Sequence, residues 1–110
     1  MFAFPANSEL RIAFVPFKAH ISFHEGQRLT VNVVEGENEN GRFMDTVGYQ
    51  AIMVREDIVV LSWQEHIGST IVHVLDFAND RTHTCVTPEK GGFLQLSGTL
   101  RSRRKEQCHD

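Results

Sequence analysis

The sequence has little cysteine, no excess of basic residues and no long apolar run. Its two cysteines, Cys85 and Cys108, have a spacing typical of neither a zinc site nor a disulfide framework. The formal net charge of −3 argues against a broad nucleic-acid-binding surface. No apolar run approaches the ~18 residues of a membrane-spanning helix, and the N-terminus does not resemble a signal peptide. We therefore expect a cytoplasmic protein with no cofactor or metal and with neither nucleic acid nor membrane as a partner.

The composition is that of one globular domain. The chain has 110 residues, of which 41% are hydrophobic and 23% are charged, and this length suffices for one hydrophobic core. Basic residues cluster only in "RSRRK" at 101–105, a run typical of a solvated terminus. We predict a single domain over residues 1–100 and a basic, disordered tail over 101–110.

The apolar residues repeat with a period of two, which indicates strands rather than helices. The segments "KAHISFH" and "QRLTVNVVEG" alternate most clearly. A turn over residues 25–27 would place Phe23 opposite Leu29, with apolar side chains on one face and polar side chains on the other. We predict a half-buried hairpin here, because a shift of one residue would mix the two faces.

Further alternating segments follow at intervals of about 8–12 residues, separated by turn signals. Within "GRFMDTVGYQAIMVR", Gly48 predicts a bulge or a sharp bend of the kind that closed sheets need. The pattern predicts an all-β fold of about eight strands in a small up-and-down antiparallel barrel. A two-sheet sandwich is the alternative.

The stretch "LSWQEHIGSTIVHVLDF" at 61–77 carries polar side chains within an apolar run. Two-residue turns are expected at 56–57, 67–68 and 79–80. Counting from these turns places Trp63 opposite Gln50 and Val72, and Asp76 opposite His83, close enough for an ion pair. The resulting face is apolar with few polar groups, as small-molecule pockets are. We predict that its ligand-binding residues are Gln50, Trp63, Glu65, Val72, Val74, Asp76 and His83.

The opposite face of the same strands is also partly apolar. A sheet that is apolar on both faces must be covered on both, and no helix is predicted that could cover the second. We therefore expect a homodimer through this second face. By the same counting, this face comprises Tyr49, Met53, Val60, Ser62, Ile71, His73, Leu75 and Phe77.

The segments "WQEHIGSTIVHVLDF" and "THTCVTPEKGGFLQLSGTL" resemble the MoaF-like family. The resemblance covers about residues 10–100 and is most specific across 61–77. It implies a calycin-type, lipocalin-like β-barrel and relates the chain to MoaF, a protein linked to molybdenum-cofactor biosynthesis. It implies no settled activity. By similarity, the motif positions are Trp63, Glu65, His73, Asp76 and Phe77.

Three functions are compatible with this reading, and the catalytic residues remain unassigned. The first is a module that binds an apolar or aromatic small molecule inside the barrel. The second is a metal-independent lyase or isomerase in the same cavity, with Glu65 or the Asp76–His83 pair as acid and base. The third is a non-catalytic homodimeric assembly subunit. Structural roles compete with each site residue: Trp63 as a core side chain and Asp76 as a turn residue that binds backbone amides.

Overall fold

The protein folds into one antiparallel β-sheet. The computed structural model describes residues 2–35 and 38–104, with the side chains at 35, 38–42, 103 and 104 excepted. Its strands are β1 (Ser8–Ala13), β2 (Phe17–His24), β3 (Arg28–Glu35), β4 (Asn38–Gly48), β5 (Gln50–Arg55), β6 (Ile58–Gln64), β7 (Thr70–Asp76), β8 (Arg81–Thr87) and β9 (Leu94–Arg104). No helix in the described part of the chain is long and apolar enough to cross a membrane.

The sheet curls into a small barrel, which confirms the predicted fold class. Its strand order is β4-β3-β2-β1-β9-β8-β7-β6-β5, so the two outermost strands are consecutive in the chain. Only Tyr49 separates β4 from β5, next to Gly48, where a bulge or sharp bend is predicted. Counting β4 and β5 as one strand gives the predicted eight; the structure has nine because each half pairs with a different neighbour.

The hairpin of β2 and β3 has the predicted register. Phe23 pairs with Leu29, and Ala19 pairs with Val33. Gly26 and Gln27 both have positive φ angles in the turn. The alternation along these two strands therefore specified which side chains enter the barrel.

The pairing of β5 with β6 differs from the prediction by one residue. The two-residue turn lies at 56–57 as expected, since Arg55 pairs with Ile58, but the register shifts between Met53 and Arg55. Beyond this bulge, Gln50 lies opposite Ser62 rather than Trp63. The extra residue thus moves Gln50 to the outer face of the sheet.

The pairing of β6 with β7 is also displaced by one residue. A five-residue loop, 65–69, replaces the predicted two-residue turn, and Gln64 pairs with Thr70. Trp63 therefore lies opposite Ile71 and not opposite Val72. Because side chains alternate along a strand, this displacement exchanges the two faces of β7 relative to the prediction.

The third hairpin is displaced by two residues. Asp76 pairs with Arg81, and Val74 rather than Asp76 lies opposite His83. The predicted Asp76–His83 ion pair is consequently wrong. A shift of two leaves the faces unchanged, so Val72, Val74, Asp76, His83 and Cys85 still share a face, but that face points outward.

The second predicted face also divides between the inside and the outside of the barrel. Tyr49, Ile71, His73 and Leu75 are buried in the interior. Phe77 packs partly buried against the same core, and Met53 lies on the inner face opposite Val59 but is largely exposed. Val60 and Ser62 lie on the outer face. The prediction that these eight residues form one apolar outer face is therefore wrong.

The last strand is longer than the sequence suggested. β9 continues to Arg104 and pairs with β1, so residues 101–104 belong to the sheet rather than to a tail. Residues 105–110, including Cys108, lie outside the described residues.

Candidate functional site

A cavity of about 240 Å³ lies inside one end of the barrel. Its wall combines side chains from β2–β4 with side chains from β6–β8. Aromatic and aliphatic residues form most of the wall, and its polar groups come from Glu65, His73 and Thr84. The lining residues are Phe14, Phe17, Ala19, Val31, Val33, Phe43, Trp63, Glu65, Ile67, Ile71, His73, Thr84 and Val86.

Small interior side chains on β2 and β3 contribute to the space of the cavity. Along β2 the inward side chains shorten from Phe23 through Ile21 to Ala19, and Phe17 then lines the far side of the cavity. Their partners on β3 likewise change from Leu29 to Val31 and Val33. A side chain that is smaller by several carbons leaves space that a neighbouring rigid strand does not fill.

Phe14 reaches the cavity wall because the neighbouring position on β9 is glycine. A Cβ atom at Gly98 would stand 2.8 Å from Phe14 Cδ1 and would also meet the Ala13 backbone. Gly98 is buried within the strand. The missing side chain therefore lets the phenyl ring of Phe14 pack against β9.

Trp63 and Glu65 are held together at the end of β6. The indole Nε1–H of Trp63 donates a hydrogen bond of 3.2 Å to Glu65 Oε2. The backbone of Glu65 is fixed twice by the 65–69 loop: its N–H donates to the Ser69 carbonyl, and its carbonyl accepts from the Gly68 N–H, both at 2.8 Å. Gly68 has a φ of 103°, a conformation that suits glycine. The loop thus turns the carboxyl group into the barrel.

Burial makes Glu65 a weaker acid than usual. The residue is only 9% exposed, and this desolvation raises the pKa of the Glu65 carboxyl. The hydrogen bond from Trp63 opposes the rise in pKa, while the negative charge of Asp45 adds to it. The cavity therefore contains a carboxylate whose charge is poorly solvated.

His73 is a neutral, buried side chain beside the indole. It is 3% exposed, and burial lowers the pKa of its imidazole to about 3. Its Nδ1 is hydrogen bonded to Thr84 Oγ1 at 2.7 Å, and Thr84 is in turn 3.2 Å from Thr82 Oγ1. The imidazole and indole ring centres are 5.1 Å apart. This network fixes the ring orientation of His73 within the wall.

A contact between Asp45 and His66 spans the rim near the cavity. Asp45 lies on β4, and its carboxylate accepts a 2.8 Å hydrogen bond from the His66 backbone N–H and lies 2.7 Å from His66 Nδ1. Burial alone would raise the pKa of Asp45, but these contacts hold it below its usual value. The two edge strands of the sheet, β4 and β5, are not paired with each other. The Asp45–His66 pair connects β4 to the 65–69 loop in this region.

Only two of the seven residues predicted to bind a ligand line this cavity. Trp63 and Glu65 do so, whereas Gln50 is exposed on the outer face of β5. Val72, Val74 and His83 instead line an open groove on the outside of the barrel.

Asp76 and His83 have separate local partners. Asp76 accepts hydrogen bonds from the backbone N–H and the side-chain Nδ2 of Asn79 at 3.2 and 2.9 Å. These bonds lower the pKa of its carboxyl. His83 Nδ1 lies 3.0 Å from Ser97 Oγ. The competing interpretation of Asp76 as a turn residue that binds backbone amides is confirmed.

Sequence reasoning missed several residues of the cavity wall. The predicted two-residue turns place Ile71, His73 and Thr84 on the face opposite Trp63, whereas the registers of the structure bring all three into the cavity wall. The inward positions of Phe43 and Val33 follow from the alternation of apolar residues along β3 and β4. Nothing in the sequence indicates that their end of the barrel is open. Within the described residues, no group of three or more His, Cys, Asp or Glu side chains could hold a metal ion.

Together, the curled sheet and its hollow end define a small antiparallel β-barrel with an interior cavity. In a comparison with known protein families, the MoaF-like family model matches residues 6–101. The chain therefore belongs to the MoaF-like family, which confirms the resemblance inferred from the sequence. No functionally curated protein matches the chain.

A solved structure has the same fold. It is a crystal structure of a protein from Burkholderia vietnamiensis that is provisionally named a beta-lactamase. The two chains are 25% identical, and the alignment has a TM-score of 0.81 and covers 94% of this chain and all of the other.

Proposed function

We propose that this protein binds an apolar or aromatic small molecule in the cavity beside Trp63. The observation that carries the proposal is a hollow of about 240 Å³ with a mostly apolar wall and a few fixed polar groups. That composition is typical of small-molecule sites. An apolar cavity of about 150 Å³ suffices for benzene, so a single substituted ring fits this one.

The polar groups of the wall would orient the ligand rather than provide most of the affinity. Neighbouring side chains hold both groups in place. Glu65 Oε2 lies 3.2 Å from Trp63 Nε1, and His73 Nδ1 lies 2.7 Å from Thr84 Oγ1. Such preorganised groups lose little conformational entropy on binding. A ligand with one apolar ring and one polar substituent therefore matches the site.

A catalytic role in the same cavity is the second candidate. The raised pKa of Glu65 favours it, because a carboxyl group with such a pKa transfers protons more readily near neutral pH. The provisional beta-lactamase name of the similar structure belongs to that protein. In this chain the cavity would offer a carboxyl, an imidazole and the hydroxyl of Thr84. If Glu65 is a general acid or base, Glu65→Gln should reduce turnover of a bound substrate by about 10²–10⁴-fold.

Association of two copies is supported by an apolar row on the outside of the barrel. Ile52, Val60 and Val74 are cross-strand neighbours on β5–β7, and Ile52 is 64% exposed. We propose that a homodimer covers this row. Light scattering should give a dimer for the wild type and a monomer for Ile52→Lys; a monomeric wild type would contradict the proposal.

The binding function can be tested with the chain's single tryptophan as the probe. Trp63 is the only one in the sequence, and it lines the cavity, so a ligand there should change its fluorescence. Titration of the wild type with ring-sized aromatic compounds should give saturable changes and a higher melting temperature.

A pair of matched substitutions shows where such a ligand binds. Ala19→Phe places a ring in the cavity wall, whereas Ala78→Phe places one in the exposed 77–80 turn. Ala19→Phe should abolish the fluorescence change, and Ala78→Phe should preserve it. Unchanged binding by a folded Ala19→Phe variant would contradict the proposal.

A further inference from the structure

The charged groups at the cavity have only one sign. Glu65 lines the wall, and Asp45 at the rim is close enough to raise the pKa of Glu65. In the described part of the chain, no lysine or arginine lines the cavity, and His73 is held neutral by burial. An anionic ligand would therefore meet repulsion and no compensating positive charge.

The carboxylate of Glu65 is buried without a cationic partner. The residue is only 9% exposed, and within the described residues its side chain accepts a side-chain hydrogen bond only from the Trp63 indole. A buried carboxylate with so few partners lowers stability. Its second oxygen is available to a donor that enters the cavity.

Aromatic rings surround the space next to this carboxylate. Trp63, Phe14, Phe17 and Phe43 all line the wall, and the indole ring is fixed by its hydrogen bond to Glu65. The faces of aromatic rings attract cations, and tryptophan does so most strongly. A carboxylate and several aromatic rings in one small cavity are together complementary to an organic cation.

We propose that the ligand of this cavity is an organic ammonium compound: a protonated amine carried on an apolar body about the size of one ring. The ammonium group lies against the Glu65 carboxylate and the Trp63 indole, and the apolar body fills the space between Ala19, Val33 and Phe43. This inference rests on the proposed binding function and names its ligand class.

Three probes of nearly equal size test the charge preference: benzylamine, benzyl alcohol and benzoate. Each is titrated at pH 7 while Trp63 fluorescence is recorded. A charge-assisted hydrogen bond contributes about 1.5–3 kcal/mol, so benzylamine should bind roughly 10- to 100-fold more tightly than benzyl alcohol. Benzoate should bind most weakly.

Two matched variants assign this preference to one side chain. Glu65→Gln and Glu56→Gln remove the same charge, but Glu56 is exposed in the β5–β6 turn. Glu65→Gln should reduce benzylamine affinity to that of benzyl alcohol while leaving benzyl alcohol unchanged. Glu56→Gln should retain the full preference.

The pH dependence supplies an independent readout. Benzylamine affinity should fall as the pH is lowered through the pKa of Glu65, and benzyl alcohol affinity should not. The groups that face Glu65 are Asp45 on β4, His66 in the loop and His73 on β7. Glu65→Gln leaves these three neighbouring groups unchanged. If the pH dependence of benzylamine affinity is lost in this variant, the titrating group is therefore Glu65.

The possible results separate this inference from the binding function. If benzyl alcohol or benzoate binds as tightly as benzylamine, the ligand class is wrong but the cavity still binds ligands. A preference for benzylamine that survives in Glu65→Gln overturns the role of the carboxylate. If none of the three probes binds, the binding function fails and this inference fails with it.

Discussion

The two ends of the barrel interior are built from different side chains. At the end capped by the N-terminal segment (the closed end), the Phe4 ring stacks on Phe23 with centroids 4.2 Å apart, and Tyr49 meets Phe23 edge-on at 5.3 Å. A pocket of about 190 Å³ lies beside Phe4 at this end. The N-terminal segment is anchored there, because the Phe4 backbone N–H donates a 2.9 Å hydrogen bond to the Tyr49 hydroxyl. At the open end, aromatic and aliphatic side chains and the Trp63–Glu65 pair surround a cavity.

This difference indicates a division between stability and binding. Stacked aromatic rings at the closed end bury large apolar areas. The open end instead contains two titratable side chains, Glu65 and His73, that burial holds away from their ordinary pKa values. Such costly features are typical of functional sites.

The largest effect is expected for Phe23→Ala at the closed end. Phe23 is 1% exposed and contacts two aromatic rings. Its loss should lower the free energy of unfolding by about 3–5 kcal/mol, as measured by urea denaturation. A decrease below about 1 kcal/mol would show that the closed end is not the stable part of the barrel.

Acid should destabilise the protein through His73 at the open end. The pKa of His73 is about 3 in the folded protein, against an ordinary value of 6.5. Between these values the unfolded chain binds a proton that the folded chain does not, so the free energy of unfolding falls by several kcal/mol as pH drops from about 6.5 toward 3. His73→Gln should flatten this pH dependence, whereas the exposed control His24→Gln should retain it.

Two valines allow the ends to be compared with identical chemistry. Val47 and Val31 are 4% and 2% exposed, but only Val31 lines the cavity. Val47→Ala creates a new void, while Val31→Ala enlarges an existing one, so Val47→Ala should cost about 1 kcal/mol more. Equal losses in denaturation experiments would mean that the two ends are packed alike.

The smallest effect is expected for Glu65→Gln without ligand. Burial raises the pKa of Glu65 in the folded state. Ionisation of this carboxyl is therefore less favourable in the folded protein than in the unfolded chain. The wild type should therefore lose stability relative to Glu65→Gln as pH rises from about 4.5 through the raised pKa. Thermal melts of both proteins at several pH values would measure this; a variant less stable than the wild type at pH 7 would contradict it.

Sequence patterns predicted the hairpin of β2 and β3 and the inward position of Trp63, because alternation and a three-residue turn allow one register. They did not predict which face of β7 enters the barrel. That choice depends on a five-residue loop stabilised by Gly68, and the bulge in β5 likewise decides the face on which Gln50 lies. Both features arise from backbone hydrogen bonds that apolar periodicity does not encode.

The most direct test is a crystal structure of the protein purified from cells without any step that strips ligands. We expect electron density for a ring-sized molecule between Trp63 and Val33, with a polar substituent directed at Glu65. A barrel whose side chains fill this space, or an indole turned out to solvent, would contradict it.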